Sequence, residues 1–377
     1  KVHLKVFATS KQTVIIRLAG EDNREYLNRE VLIDPEKVFE ETVDVQGAPF
    51  STLTLDFIKD GRAVMSWHTE PDEIRPIPDA AEAALLPEQI KTVEQLFLTG
   101  LHLEQYRHAT YSPVDYYEEG LRRDPDDVRC NNAMGLWYIR KGRFDIAGQY
   151  LEKAVKILQK RNPNPYDGEP VYNLGLALKY QGRYEEALAR CKTALSINTY
   201  DGDVNYLYGL CNMALGNHTD AKDGFSVASY SPRVRSAAYE KLAEMYLMDR
   251  NWAKAEHYAL RSKEFNQMNL SADHVLMVVY RKTNQPEKAK ALIDPLLEDL
   301  PLYHAARFEQ LYQGEGSGHP IDDLQSLIRN ELPFETYMEL AEWYESVGCT
   351  EEALSLLSCA GNYPIALYKQ AYLLHQA

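Results

Sequence analysis

Histidine and cysteine most often supply catalytic groups and metal ligands, and this sequence spaces neither in a pattern typical of such sites. His102 and His108 are six residues apart, which would place them on different faces of a helix. The five cysteines are odd in number and include no CxxC pair. No Ser/His/Asp order and no phosphate-binding loop is found either. We therefore expect no catalytic residues, no metal and no cofactor, which favours a non-enzyme.

The elements that would position functional residues are indicated by small residues at fixed spacing. Gly135, Gly175 and Gly209 are each followed by a second glycine seven residues later and by an alanine five residues after that. The interval from Gly175 to Gly209 is 34 residues, and that from Gly135 to Gly175 is 40, so six residues are inserted between those two units. The pattern predicts two helices joined by a glycine turn, because small residues permit close helix packing and glycine readily ends a helix.

A helix-turn-helix unit with this period resembles the tetratricopeptide repeat. The resemblance covers most of 92–377 and implies a mainly α protein, with a superhelical α-solenoid of about seven to eight repeats over 92–377 that is irregular at 302–333. In two later units Arg250 and Asn284 stand where the turn glycine is expected.

In tetratricopeptide proteins the first helix of each repeat lines a concave groove, so the resemblance implies a binding face here. Aligned on the repeat glycines, this face carries polar and aromatic side chains with a local excess of base. The predicted groove residues are Tyr106, Arg129, Asn132, Arg140, Tyr172, Asn173, Lys179 and Tyr206, followed by Glu240, Glu244, His274 and Arg281. The proline-rich insertion adds Tyr166, Asp167 and Glu169 as candidate contact residues at one edge.

Two ligand classes fit these residue types. A protein or peptide would present a terminal carboxylate to Arg129, Asn132 and Lys179, a mode of recognition found in some tetratricopeptide proteins. A carbohydrate would stack on tyrosine rings, while asparagine and arginine bond its hydroxyls. Self-association through the same groove, giving a homo-oligomer, is a further alternative.

The first 74 residues have a different pattern from the rest of the chain. They contain short runs rich in β-branched residues, separated by turn signals, and Asp60-Gly61 is typical of a hairpin turn. We predict a small antiparallel β-sandwich domain at 1–74. The proline- and acid-rich segment 75–91 is predicted to be a linker, stiffened by its prolines.

Three stretches, which begin at Leu98, Arg122 and Asn162, resemble a group of large bacterial proteins. Those proteins join an N-terminal domain of unknown function, similar to mutarotase-like sugar-binding β-supersandwiches, to β domains and a C-terminal tetratricopeptide array. The resemblance implies that this chain is the C-terminal part of such a protein, with the missing N-terminal domain as a partner. The start at Lys1 and the end inside a helical pattern also favour a fragment.

The formal net charge of −15 argues against nucleic acid and anionic membranes as partners, because both attract basic surfaces. No apolar run approaches the ~20 residues of a membrane span, and the cysteine pattern favours a reducing, cytoplasmic location. Two functions remain. One is a non-catalytic scaffold whose groove binds a protein, and the alternative is an accessory part of a carbohydrate-active protein that binds sugars or processes glycosides.

Overall fold

The computed structural model describes residues 1–35, 38–69, 83–160, 162, 165–312, 320–329 and 331–376. These residues form two compact units, a β unit at the N-terminus and a helical unit that begins at Ala83. The predicted fold class, an α-solenoid preceded by a small antiparallel β-sandwich, is confirmed. The part of the predicted linker up to residue 82 lies outside the described residues.

The described part of the β unit contains six strands in two antiparallel sheets. They are β1 (Val2–Val6), β2 (Gln12–Gly20), β3 (Glu25–Ile33), β4 (Phe39–Val43), β5 (Leu53–Lys59) and β6 (Arg62–His68). β1 pairs with β4, and the larger sheet has the order β3-β2-β5-β6. Val14, Ile16 and Leu18 alternate along β2 and share one apolar core with Leu4 of β1 and Val43 of β4. The two sheets therefore enclose a common interior, as in a sandwich.

The hairpin between β5 and β6 is built as predicted. Asp60 has a φ of 51° and Gly61 a φ of 74°. Positive φ at both central residues is the requirement of a type I′ turn, whose twist matches that of the flanking strands. Lys59 and Arg62 are consequently opposite one another at the end of the ladder.

The described helical unit consists of eight successive helix pairs and a final helix. The pairs are α1 (Val93–Gln105) and α2 (Pro113–Arg123), α3 (Val128–Arg140) and α4 (Phe144–Gln159), α5 (Glu169–Tyr180) and α6 (Tyr184–Ile197), α7 (Gly202–Ala214) and α8 (His218–Ala228), α9 (Arg235–Met248) and α10 (Trp252–Phe265), α11 (Leu270–Lys282) and α12 (Pro286–Asp299), α13 (His304–Tyr312) and α14 (Pro320–Leu327), and α15 (Pro333–Ser346) and α16 (Thr350–Cys359), before α17 (Pro364–Gln376). The stretch 302–333, predicted to be irregular, thus contains α13 and α14, and residues 313–319 lie outside the described part.

Left-handed residues end the first helices of the pairs, at the positions predicted for the turn. Gly142, Gly182 and Gly216 have φ values of 70°, 73° and 75°. Arg250 and Asn284, which replace the glycine in two later pairs, have φ values of 57° and 53°. The turn geometry is therefore maintained even where a side chain makes this backbone conformation less favourable.

The glycines inside the first helices allow close packing within a pair. A Cβ atom added at Gly209 on α7 would lie 2.6 Å from the Phe225 ring on α8. Gly135 on α3 is similarly occluded by the Leu151 side chain on α4. The packing reason that the sequence indicated is thus confirmed for Gly135 and Gly209, whereas the atoms nearest to a Cβ at Gly175 would be 3.4 Å away.

α11 is buried on almost every side, unlike an ordinary amphipathic surface helix. Its central residues, 275–279, are at most 3 % exposed. All of them except Met277 share a core with Ala341 and Tyr344 of α15 and Leu356 of α16, and α11 also contacts α9, α12 and α13. The later pairs therefore gather around α11, which lies at the centre of this half of the helical unit.

Candidate functional site on the groove face

The groove face is here the surface formed by α3, α5 and α7, the first helices of three consecutive pairs that contact one another. Asn132 on α3 meets Glu169 and Asn173 on α5. Asn132 Nδ2 donates to Glu169 Oε1 at 3.1 Å, and Asn173 Nδ2 donates to Asn132 Oδ1 at 2.9 Å and to Glu169 Oε1 at 3.4 Å. The structure thus joins three of the predicted residues in one hydrogen-bonded cluster.

The insertion loop positions Glu169 in the first turn of α5. The Asp167 Oδ1 atom accepts a hydrogen bond of 2.9 Å from the backbone N–H of Glu169. Pro170 follows in the same turn, where its fixed φ suits a helix start. Tyr166 is fully exposed, so its ring is available at the edge of the groove face.

A cavity of about 620 Å³ opens on this face beside α5 and α7. Its size is typical of ligand-binding clefts. The apolar part of its lining includes Leu136, Leu176, Ala194, Ile197 and Val204. The polar part consists of Tyr166, Asp167, Glu169, Tyr172, Asn173, Asn198, Asp201, Asp203 and Arg233, with Gly168 completing the wall.

The polar lining is predominantly acidic. Asp203 Oδ2 lies 3.1 Å from Arg233 Nη1, but the Arg233 side chain is 79 % exposed, so solvent screens this pair. Asp201 Oδ1 accepts from the Val204 backbone N–H at 3.0 Å and caps α7. Burial, and next the charge of Asp203, raises the pKa of Tyr172 to about 12, so its hydroxyl is neutral at physiological pH.

The predicted arginines bind carboxylates of the chain itself. Arg129 lies 3.0 Å from Asp127 and 3.4 Å from Glu94, and Arg140 lies 2.6 Å from Glu104. Neither arginine lines the cavity. Their charge is therefore directed at their own partners and away from the cavity.

Lys179 is also outside the cavity lining, and its Nζ atom lies 4.3 Å from the centroid of the Tyr180 ring. Of the trio predicted to bind a carboxylate, only Asn132 contacts the cluster with Glu169 and Asn173. The structure does not bring Arg129 and Lys179 to this cluster.

The two remaining predicted tyrosines lie elsewhere on the first helices. Tyr106 is 73 % exposed just after α1, with its ring centroid 4.5 Å from that of His102. Tyr206 on α7 is half-buried against Phe225, and burial followed by the charge of Glu240 raises its pKa to about 12. Neither residue lines the cavity.

The prediction of an open face on α9 and α11 is wrong, because α15 covers it. Trp343 Nε1 donates to Glu244 Oε1 at 3.0 Å, and its ring stacks on His274 with centroids 3.5 Å apart. His274 also forms a 3.0 Å hydrogen bond with the Tyr344 hydroxyl. Burial lowers the pKa of His274 to about 3, so this histidine is a neutral core residue.

Arg281 is likewise enclosed and does not line a groove. Its guanidinium binds Glu309 through two hydrogen bonds of 2.6 and 2.9 Å and Glu352 through a third of 2.8 Å. The Tyr344 hydroxyl donates to Glu309 at 2.6 Å. The equivalent of the groove face in these later pairs is therefore a buried polar network.

Glu240 makes the stability of the helical unit depend on pH. Burial, and next the negative charge of Glu244, raises its pKa to about 7 from an ordinary 4.5. A raised carboxyl pKa favours folding below the unfolded pKa, and this contribution is lost as pH rises from about 4 to 7. We expect Glu240→Gln to stabilise the protein by about 1–2 kcal/mol at pH 8, since Lys241 offsets part of the burial cost.

The measurement is urea unfolding at pH 4.5, 6 and 8. The gain from Glu240→Gln should shrink towards pH 4.5. The exposed Glu185→Gln on α6 is the control and should give the same small change at every pH. A gain that is independent of pH would contradict the assignment to Glu240.

Asp203 and Arg233 are cavity residues that the sequence prediction missed. Asp203 lies six residues before Gly209, just as Glu169 lies six before Gly175, so the repeat register contained the signal for it. Arg233 follows α8 in a connecting segment, where no periodic pattern applies. Its place in the cavity depends on the packing of successive pairs.

Within the described residues, no group of three or more histidine, cysteine, aspartate or glutamate side chains is arranged to hold a metal ion. The five cysteines are all unpaired. None of the described helices combines the length and the apolar character needed to span a bilayer.

Comparison with known families supports the repeat assignment. Residues 126–199 and 178–245 match models of the tetratricopeptide repeat, and residues 1–67 match the second domain of YphG-like protein. The helical unit thus contains tetratricopeptide repeats, as predicted. These matches do not concern a mutarotase-like domain, so that part of the resemblance stays a prediction.

Curated relatives share the repeats at low identity. The DnaJ homolog subfamily C member 7 homolog of Dictyostelium discoideum is 22 % identical over 251 residues, which are 60 % of this chain and 46 % of the relative. The TPR repeat-containing protein MJ1428 of Methanocaldococcus jannaschii is 25 % identical over 200 residues, which are 52 % and 34 % of the two chains. The chain thus spans about half or less of the length of these relatives.

Among solved structures, pilF of Pseudomonas aeruginosa superposes with a TM-score of 0.50 at 18 % sequence identity. The match covers 59 % of this chain and 97 % of that protein. At this level of identity the similarity establishes a shared helical-repeat fold.

Proposed function

We propose that this protein is a non-catalytic interaction scaffold whose groove face docks a segment of another protein. The observation that carries the proposal is the contrast between the two halves of the helical unit. The face of α3, α5 and α7 contains an open cavity of about 620 Å³, whereas α15 covers the corresponding face of α9 and α11. Helical repeats bury their contacts with neighbouring repeats and leave such extended surfaces for partners.

The cavity has the composition of a peptide-binding site. Leu136 and Leu176 supply apolar surface, and Tyr166 and Tyr172 add aromatic rings with polar ends. The hydrogen-bonded Asn132 fixes the cluster that borders it. An extended segment would bury apolar side chains on the leucines and satisfy its polar groups on the surrounding carboxylates and amides.

The test is selection of 12-residue peptides from a display library on the intact chain, followed by fluorescence anisotropy. Leu136→Trp should fill the cavity and weaken the binding of selected peptides at least ~10-fold, which is about 1.4 kcal/mol. Leu260→Trp, at a 45 % exposed site on α10, is the matched control and should bind as the wild type does. Failure to select peptides, or equal binding by both variants, would overturn the proposal.

The comparisons give no support to the carbohydrate-linked alternative. That alternative is tested by measuring the binding of a panel of oligosaccharides in the same anisotropy assay. Sugar binding that Leu136→Trp abolishes, without peptide binding, would replace the docking proposal. Association of the wild type with itself, abolished by Leu136→Trp in analytical ultracentrifugation, would identify a second copy as the occupant.

A further inference from the structure

We propose that the cavity on the groove face selects a protein segment carrying a lysine or arginine side chain. The inference rests on the proposed docking function and names the chemistry of the occupant. The sequence predicted a ligand with a negatively charged carboxylate, and we propose a positively charged ligand instead.

The first observation is the orientation of the Asn173 amide. The Glu169 carboxylate oxygen is an acceptor, so the Asn132 atom that contacts it must be the amide nitrogen. The Asn132 oxygen is therefore the atom that faces Asn173, and Asn173 must offer its own nitrogen in return. These contacts occupy the Asn173 Nδ2 atom, so Oδ1 is the polar atom of this amide that has no contact within the cluster.

Asn173 is only 2 % exposed, and it lines the cavity. Its Oδ1 atom has no hydrogen-bond partner among the residues that the structure describes, whereas Nδ2 has two. Asn173 Oδ1 is not among the fully buried, unsatisfied polar atoms of the described residues, so water in the cavity can reach it. The cavity thus presents an acceptor that an N–H group of a ligand would satisfy.

The second observation is the charge around this acceptor. Among the residues that the structure describes, four carboxylates line the cavity, namely those of Asp167, Glu169, Asp201 and Asp203, against one guanidinium, that of Arg233. Glu169 makes hydrogen bonds to amides and no ion pair within the described part of the chain. This field attracts a cation and repels a terminal carboxylate.

Arg233 does not neutralise the site, because its side chain is 79 % exposed and its contact with Asp203 is screened by water. The predicted basic residues do not compensate either. Arg129 and Arg140 are held by Asp127 and Glu104, away from the cavity lining. An incoming ammonium or guanidinium group would therefore supply a counter-charge to Glu169 and a second one to Asp203, beside Arg233.

The third observation is the apolar wall formed by Leu136, Leu176 and Ile197. Lysine and arginine have long aliphatic stems that lie along such surface while the charged end reaches polar groups. A small inorganic cation would leave this wall exposed to water. The combination of an apolar wall, an acidic rim and an amide oxygen that faces the cavity thus fits a basic side chain of a peptide.

The probes are the peptides selected on the wild type, each with its lysines replaced by norleucine and its arginines by citrulline. We expect these neutral analogues to bind the wild type at least ~10-fold more weakly. Glu169→Gln/Asp203→Asn should weaken the parent peptide similarly and leave the neutral analogue nearly unchanged, since both changes remove the same interaction. Glu185→Gln, an equivalent loss of charge on exposed α6, is the control and should not affect binding.

The outcomes separate this inference from the proposed function. Selected peptides that respond to Leu136→Trp but contain no basic residue, or that tolerate Glu169→Gln/Asp203→Asn, would overturn the inference and leave docking intact. Absence of peptide binding would overturn both. Spermidine is the non-peptide probe, and spermidine binding at these carboxylates without peptide binding would identify a free polyamine as the ligand and also overturn the inference.

Discussion

Replacement of Arg281 by methionine is expected to destabilise the helical unit by about 3–5 kcal/mol. The guanidinium is 13 % exposed, and its two partners, Glu309 and Glu352, are 0 % and 2 % exposed. Removing the cation would leave two buried carboxylates with fewer partners, because Glu309 would retain the Tyr344 hydroxyl and Glu352 would retain Lys282. Burying a charge without its counter-charge is far more costly than losing an exposed ion pair.

Hydrogen exchange measured by mass spectrometry would localise this effect to α11 and α15, and urea unfolding would give its magnitude. Arg183→Met is the matched control, since Arg183 forms a bidentate pair with Glu186 on an exposed surface. That change should cost less than about 1 kcal/mol. If Arg281→Met were no more destabilising than Arg183→Met, the network would not hold the later pairs together.

Glycine-to-alanine substitutions in two second helices are expected to have opposite effects. A Cβ atom at Gly224 on α8 would lie 2.9 Å from the Asn205 carbonyl oxygen and 3.0 Å from the Gly209 nitrogen of α7. Both neighbours are backbone atoms, so relief requires α7 and α8 to move apart. We expect Gly224→Ala to destabilise the protein by about 2 kcal/mol, the typical magnitude of overpacking.

Gly148→Ala on α4 is the matched control, because the nearest atom to its added Cβ would be the flexible Gln181 side-chain nitrogen at 3.4 Å. Alanine lowers the conformational entropy of the unfolded chain, so this variant should gain about 0.5–1 kcal/mol. Thermal unfolding followed by circular dichroism compares the two variants. Equal shifts of the melting temperature would show that helix propensity, and not the α7–α8 contact, governs both positions.

The position of α15 explains why the groove face of the first pairs is accessible and the corresponding face of α9 and α11 is not. In the first pairs, Asn132, Glu169 and Asn173 bind one another and border an open cavity. In the later pairs, Trp343 and Tyr344 of α15 occupy the corresponding surface. Among the helices that the structure describes, we infer that those of the first half are the ones suited to dock a partner on this face.

The repeat architecture could be predicted from sequence because its determinants are local. A left-handed turn at Gly142 and a close approach at Gly209 each require a small residue at a fixed distance along the chain. The hairpin at Asp60 and Gly61 was also predictable, since its turn type depends on two adjacent residues. Such requirements recur from one repeat to the next, and the positive φ of the turn is retained where Arg250 and Asn284 replace the glycine.

The proposed docking surface was only partly predictable, since it depends on contacts between distant residues. Residue type and repeat register were sufficient to nominate Asn132 and Asn173, and the proline-rich insertion nominated Glu169. They did not reveal that Arg129 and Arg140 bind carboxylates of α1 and the α3 N-cap, which reverses the charge expected for the groove.

Sequence alone determined the helix pairs, the turn positions and the β-hairpin, because each follows from local backbone and packing requirements. Tertiary structure alone decided which first helices remain accessible. Trp343 lies 99 residues from Glu244 and Tyr344 lies 70 from His274 along the chain, and no local pattern encodes such contacts. The repeat pattern specifies how a pair folds, and the packing of distant pairs specifies which surface remains for a partner.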